Sequence, residues 1–167
     1  MKKVLIIKLG YSETLDNRLS LTTSLGDVLR ATVILHFFKK CRVSWLVDRQ
    51  ARPLLENNKY IDKLYDYGPA ALETIKKQKF DVIINLEKLP QICSLADSLP
   101  TKEYFGFIAD RLNGFSNSPL THTKIAEISL DPDKKRKNKE PWQKIVLEAL
   151  GKKWHGENYI LGYKPTK

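Results

Sequence analysis

The chain has 167 residues, 42% of them hydrophobic and 29% charged, which fits one globular domain with a real core and excludes a disordered chain. Lys and Arg outnumber Asp and Glu by 29 to 19, a formal net charge of +10, which favours an anionic partner such as a phosphate, an acidic sugar, nucleic acid or an anionic membrane face. No segment approaches the roughly 20 apolar residues of a membrane span, and the apolar run after Met1-Lys2-Lys3 is too short for a signal peptide, so a cytoplasmic protein is expected.

Taken in chain order, strand and helix patterns alternate. Val4–Lys8 reads as the first strand and Leu9 to Thr23 as a long polar loop. Asp27 to Lys40 reads as a helix, with Val28, Leu29, Ala31, Ile34, Leu35 and Phe38 at helical spacing. Arg42–Val47 is a second strand with Val43, Trp45 and Val47 on one face, followed by a short helix at Ala51–Asn57 and a third strand at Ile61–Tyr65. Ala70–Lys77 is helical. Asp81–Leu86 is a fourth strand, nearly all apolar, as expected where both sheet faces are covered. Leu89–Ser98 is a further short helix and Glu103–Ile108 a fifth strand. Asn113 to Pro119 reads as a turn-rich loop, and the charged stretch Asp131 to Glu140 as solvated. Pro141–Leu150 is a final helix, with Pro at its first turn and Gly151 just past its end. Tyr159–Tyr163 suits a last strand or an interdomain linker. Repeated β-α units with buried strands predict a doubly wound, mostly parallel α/β sheet, with ligands at the carboxyl ends of its strands.

The segment Ser24-Leu25-Gly26-Asp27-Val28-Leu29-Arg30 stands out. A capping box explains Ser24 and Asp27, three residues apart. The residues alone favour that reading; the functional one is a carboxylate on the first turn of a helix at the cleft, able to take a proton from an attacking hydroxyl, and the two roles are compatible. Lys8 and Arg30 flank the same cleft, and Arg offers a two-pronged donor to carboxylate or phosphate. Ser24 and Gly26 lie at the helix start. Glu87 and Lys88 follow the fourth strand at its carboxyl end, where substrate contact competes with ordinary loop solvation.

Other features point away from chemistry. Cys41 and Cys93 have no metal or redox spacing and read as reduced core thiols. His36, His122 and His155 lack metal-ligand spacing. Asp131-Pro132-Asp133 mimics a metal-binding DxD motif but suits a turn better. No GxGxxG follows the first strand, which argues against a dinucleotide cofactor, and no metal or other cofactor is expected. Trp45 and Tyr104-Phe105-Gly106-Phe107 read as core, with no RNA-recognition signature beside them, so no nucleic-acid partner is expected. The run Lys134-Lys135-Arg136-Lys137 reads as a solvated face, or alternatively as a patch drawn to an anionic membrane.

The opening Lys3-Val4-Leu5-Ile6-Ile7-Lys8-Leu9-Gly10, followed by Ser24-Leu25-Gly26-Asp27-Val28-Leu29-Arg30-Ala31-Thr32, resembles glycosyltransferase family nine, the lipopolysaccharide heptosyltransferases. The likeness continues through Val43–Asp48, Pro53-Leu54-Leu55, Asn58–Asp62, Phe80–Leu86 and Gly106-Phe107, from residue 3 to about residue 163. It implies the N-terminal half of a GT-B enzyme, with residues 1–163 as the acceptor-binding domain. Residues 164–167 would begin the linker to a donor-binding half that lies outside this chain. It further implies an ADP-sugar donor, an anionic lipid-linked sugar acceptor (Kdo on lipid A), and peripheral contact with the cytoplasmic face of the inner membrane. Asp27 takes the place of the family's catalytic base in metal-free, inverting transfer, and Lys8, Ser24, Gly26, Arg30, Glu87 and Lys88 are the expected substrate contacts. The stretch Tyr11 to Thr23 is an insertion relative to the family pattern. A non-catalytic module that binds an anionic sugar or lipid headgroup is the alternative.

Overall fold

The computed structural model describes residues 1–11, 23–112, 114–119, 121 and 124–163. Four parallel connections and one hairpin build a six-stranded sheet in the order β3-β2-β1-β4-β5-β6. The strands are β1 (Lys3–Ile7), β2 (Arg42–Val47), β3 (Lys63–Asp66), β4 (Val82–Asn85), β5 (Glu103–Asp110) and β6 (Gly114–Asn117). Only β6 is antiparallel, pairing Phe107 with Asn117 through Asp110 with Gly114. The sheet is therefore mostly parallel and Rossmann-like, and its order reverses between β1 and β4.

Side chains alternate across the sheet and supply two cores. Val4, Ile6, Val43, Trp45, Val47, Val82 and Ile84 face one layer of helices: α1 (Leu25–Ala31), α4 (Lys124–Leu130) and α6 (Trp142–Ala149). Leu5, Ile7, Leu46 and Ile83 face the other, α2 (Pro69–Lys76) and α3 (Pro90–Asp97), through Ile75, Ile92 and Leu95. Both faces are covered, which is why β1, β2 and β4 are almost continuously apolar. Among the described residues, no helix is long and apolar enough to cross a membrane.

Several elements differ from the sequence reading. The helix expected at Asp27–Lys40 is two pieces, α1 and a 3-10 helix at Thr32–Phe37. The β-branched run Thr32-Val33-Ile34 crowds the preceding turn. The Thr32 hydroxyl also bonds back to the Leu29 carbonyl at 2.7 Å and accepts from the Ile160 N–H at 3.0 Å. The short helix at Ala51–Asn57 reduces to one 3-10 turn, Arg52–Leu54. The loop expected at Asn113–Pro119 contains β6, and α4 was not foreseen. The charged stretch contains a helix, α5 (Pro132–Lys137), capped by Asp131, whose carboxylate accepts from the Asp133 and Lys134 N–H groups.

Tyr159–Tyr163 forms no strand. This segment is a strap across the 3-10 helices. The His36 Nε2–H donates to the Asn158 carbonyl at 2.9 Å, the Asn58 amide to the Ile160 carbonyl at 3.0 Å, and the Gly162 N–H to the Leu54 carbonyl at 3.2 Å. The linker expected from residue 164 onward lies outside the described residues.

At Gly106, backbone geometry demands glycine. Its φ is +97°, and a Cβ there would lie 1.8 Å from the Asn85 carbonyl oxygen. Gly151 has φ +65° with nothing within 4 Å of the same atom. Gly151→Ala is therefore expected to cost about 1–2 kcal/mol, the left-handed penalty alone. Gly106→Ala is expected to cost about 3 kcal/mol or more, because β5 must move off β4. Urea denaturation of the two variants checks the contrast, and equal costs would contradict it.

Candidate functional site

The carboxyl ends of β1 and β4 meet where the strand order reverses, and the chain leaving β1 leads into α1. Gly10 makes the approach possible: its φ is +92°, and a Cβ would stand 2.7 Å from Val28 Cγ2 on α1. The Gly10 carbonyl then accepts the Ser24 N–H at 2.5 Å, which sets the start of the helix beside the end of β1.

Asp27 lies in the first turn of α1. It forms no capping box, since Ser24 makes no side-chain cap bond. Its carboxylate, with the side chain 14% exposed, instead pairs with Arg30 Nη1 at 3.1 Å, three residues on. Arg30 is half-exposed. Asp27 and Lys8 line one narrow cleft of about 10 Å³, room for about one water, together with Leu86, Phe107, Trp142 and Val146. The cleft thus has a carboxylate and a cation over apolar walls from β4, β5 and α6.

Gly26 differs from Gly10. A Cβ on it would meet nothing nearer than Ser24 Oγ at 4.0 Å. Packing places no demand for glycine there, and glycine weakens a helix by up to about 1 kcal/mol relative to alanine. The bare backbone leaves open space beside Asp27.

The floor of the site is a buried polar network. Lys8 Nζ lies 3.3 Å from Glu87 Oε1, with the two side chains 5% and 3% exposed, and it donates to the Leu86 carbonyl at 3.2 Å. Glu87 Oε1 also accepts the backbone N–H groups of Leu9 at 2.7 Å and Gly10 at 2.8 Å. Glu87 was expected at the cleft surface. Its carboxylate is turned inward, because these three donors satisfy it inside. Asn85, fully buried, donates to the Phe107 carbonyl at 2.7 Å and accepts the Glu87 N–H at 3.0 Å. The Cys93 thiol donates to the Glu87 carbonyl at 3.3 Å. Lys88 is half-buried, with its ammonium 5.8 Å from the ring centres of Phe107 and Phe115.

Sequence reading missed two contributors. Trp142 and Phe107 wall the cleft, but their spacing from Asp27 in the chain carries no signal of it. The Tyr11 hydroxyl donates to Asp48 at 3.0 Å; burial and that carboxylate push the phenol well above its usual range. Among the described residues, no group of three or more His, Cys, Asp or Glu is arranged to hold a metal ion, and His122 lies outside those residues.

The fold is similar to that of the family 9 glycosyl transferase from Veillonella parvula DSM 2008, with TM-score 0.52 and 19% identity, over 90% of this chain and 41% of that one. It is also similar to E. coli heptosyltransferase WaaC, solved with ADP, with TM-score 0.53 and 13% identity, over 94% of this chain and 50% of that one. The chain therefore spans half or less of the length of these proteins. At such identities the likeness is one of fold alone, a mostly parallel, Rossmann-like α/β sheet. No family model matches the sequence, and no curated protein matches it either.

Cys93 reports on how closed the floor is. Burial is the main cause that pushes its thiol from 9.0 up to about 12. Because the folded value is raised, the thiol's contribution to stability is full below pH 9 and is lost as the pH rises toward 12. At pH 8, maleimide is expected to label the partly exposed Cys41 and to spare Cys93 until urea unfolds the chain. Mass spectrometry of the labelled peptides decides it, and native labelling of Cys93 at the rate of Cys41 would contradict a closed floor.

Proposed function

We propose that this chain is the acceptor-binding half of a heptosyltransferase-like glycosyltransferase. The reaction is transfer of a heptose from an ADP-sugar to an acidic core sugar, Kdo, on lipid A, with Asp27 as general base. The observation that supports this reading most is the sharing of one cleft by Asp27 and Lys8 at the reversal of strand order, on a fold similar to half of a GT-B enzyme.

In this mechanism the acceptor hydroxyl lies against the Asp27 carboxylate. As its oxygen forms the new bond to the anomeric carbon, its proton passes to Asp27. The bond from that carbon to the donor's diphosphate breaks on the opposite face, and the electron pair leaves with the diphosphate, which inverts the centre. Arg30 orients the carboxylate through its Nη1 and offers its remaining N–H groups to the acceptor's acid group. The Lys8 charge is taken up by Glu87 beneath the cleft, and Lys88 supplies a cation beside Phe107. Ser24 and the open backbone at Gly26 give the sugar room to approach. The ADP-sugar belongs to the donor half of such an enzyme. A lipid-linked acceptor places the site at the cytoplasmic face of the inner membrane, where the exposed run Lys134–Lys137 on α5 suits an anionic surface.

Gly26→Ala separates binding from folding. The variant is expected to be at least as stable as the parent, because alanine favours the helix and meets nothing nearer than 4.0 Å among the described residues. It is also expected to bind a Kdo-bearing acceptor fragment at least about tenfold more weakly, a difference of about 1.4 kcal/mol. Calorimetric titration of both forms checks this, with ADP-heptose as the control that this half should not bind. Undiminished acceptor binding by Gly26→Ala, or absence of acceptor binding by the parent chain, would overturn the reading.

A further inference from the structure

The turn leaving the first strand is the place where a doubly wound sheet ordinarily holds phosphate. Consecutive backbone N–H groups there converge at the reversal of strand order and make a concave anion site. In this chain the converging pair is Leu9 and Gly10, and both N–H groups meet a single oxygen, Glu87 Oε1, at 2.7 and 2.8 Å. The Lys8 ammonium stands 3.3 Å from the same oxygen. Two backbone donors and a cation around one anionic oxygen are the surroundings that a phosphate oxygen seeks.

Glu87 is fixed in that position from behind. Its own N–H is held by Asn85 Oδ1 and its carbonyl by the Cys93 thiol, so the end of β4 presents the carboxylate rigidly to the β1 turn. The residue is 2% exposed. A diphosphate entering the turn would have to expel this carboxylate from its three donors, or lie against it as a like charge in a poorly solvated place.

We infer that Glu87 is a built-in anion that fills the phosphate position of the β1 turn and so excludes nucleotide phosphates from this half. It is a specificity-determining residue: the cleft around Asp27 is kept for a ligand that does not enter through a diphosphate. The inference stands on the Glu87 geometry and does not depend on which sugar the cleft accepts.

Backbone amide NMR of the full chain tests it, with inorganic pyrophosphate and ADP as probes. In the parent protein, the Leu9 and Gly10 amide resonances are expected to stay in place as either probe is raised into the millimolar range. Glu87→Gln keeps the side chain's length and one oxygen acceptor but removes the charge. It is expected to bind pyrophosphate at least tenfold more tightly than the parent, with Leu9 and Gly10 shifting saturably. Glu87→Ala, which empties the turn, is expected to gain more. Saturable shifts at Leu9 and Gly10 in the parent would overturn the inference, as would folded Glu87→Gln without any gain. Should Glu87→Ala fail to fold, the parent and the Gln variant still decide the matter. The readout at two backbone amides is separate from acceptor binding, so either reading can fail alone.

Discussion

One carboxylate oxygen joins the two strands on which the site depends. Glu87 Oε1, at the end of β4, takes the backbone N–H groups of Leu9 and Gly10 and the Lys8 ammonium at the end of β1. A buried ion pair alone gives little net stability, because desolvation offsets the attraction. Here the added backbone donors satisfy the carboxylate, and what the arrangement secures is position. The β1 turn is held, Gly10 passes close under Val28, and Ser24 bonds to the Gly10 carbonyl. Asp27, in the first turn of that helix, therefore lines the same cleft as Lys8.

The surrounding structure supports that junction from three sides. Asn85 and Gly106 hold β4 against β5 with the chains in closer contact than any side chain at Gly106 would allow. Trp45 on β2 donates its indole N–H to the Lys8 carbonyl at 3.2 Å, which ties the neighbouring strand to the same turn. Thr32 interrupts the first helix, and its hydroxyl accepts a hydrogen bond from the Ile160 N–H of the C-terminal strap. The strap is thereby tied to the 3-10 helix that follows α1.

The sheet was legible because its cause is local. Val4–Ile7, Val43–Val47 and Val82–Ile84 are apolar runs, and burial on both faces leaves no other reading. The candidate Asp27 was legible from its place after the first strand and at a helix start. What escaped reading is set by distant partners. Glu87 lies 78 residues from Leu9, and a carboxylate just after a strand reads as solvated loop until that partner is known. Thr32 breaks a helix of good periodicity because its hydroxyl is wanted by Ile160, 128 residues away. Strand β6 has the composition of a turn, Gly114-Phe115-Ser116-Asn117, and is a strand only because β5 runs long enough to pair with it antiparallel. Ser24 and Asp27 have capping-box spacing, yet Arg30 is the nearer partner for the carboxylate.

The measurement that tests the central claim most directly is a crystal structure of this chain with a Kdo-bearing acceptor fragment. The account predicts the sugar at the mouth of the cleft between α1 and α6, with one hydroxyl within about 3 Å of an Asp27 carboxylate oxygen and its acid group facing Arg30. A sugar bound elsewhere on the chain, or in that cleft with Asp27 turned away from every hydroxyl, would contradict it.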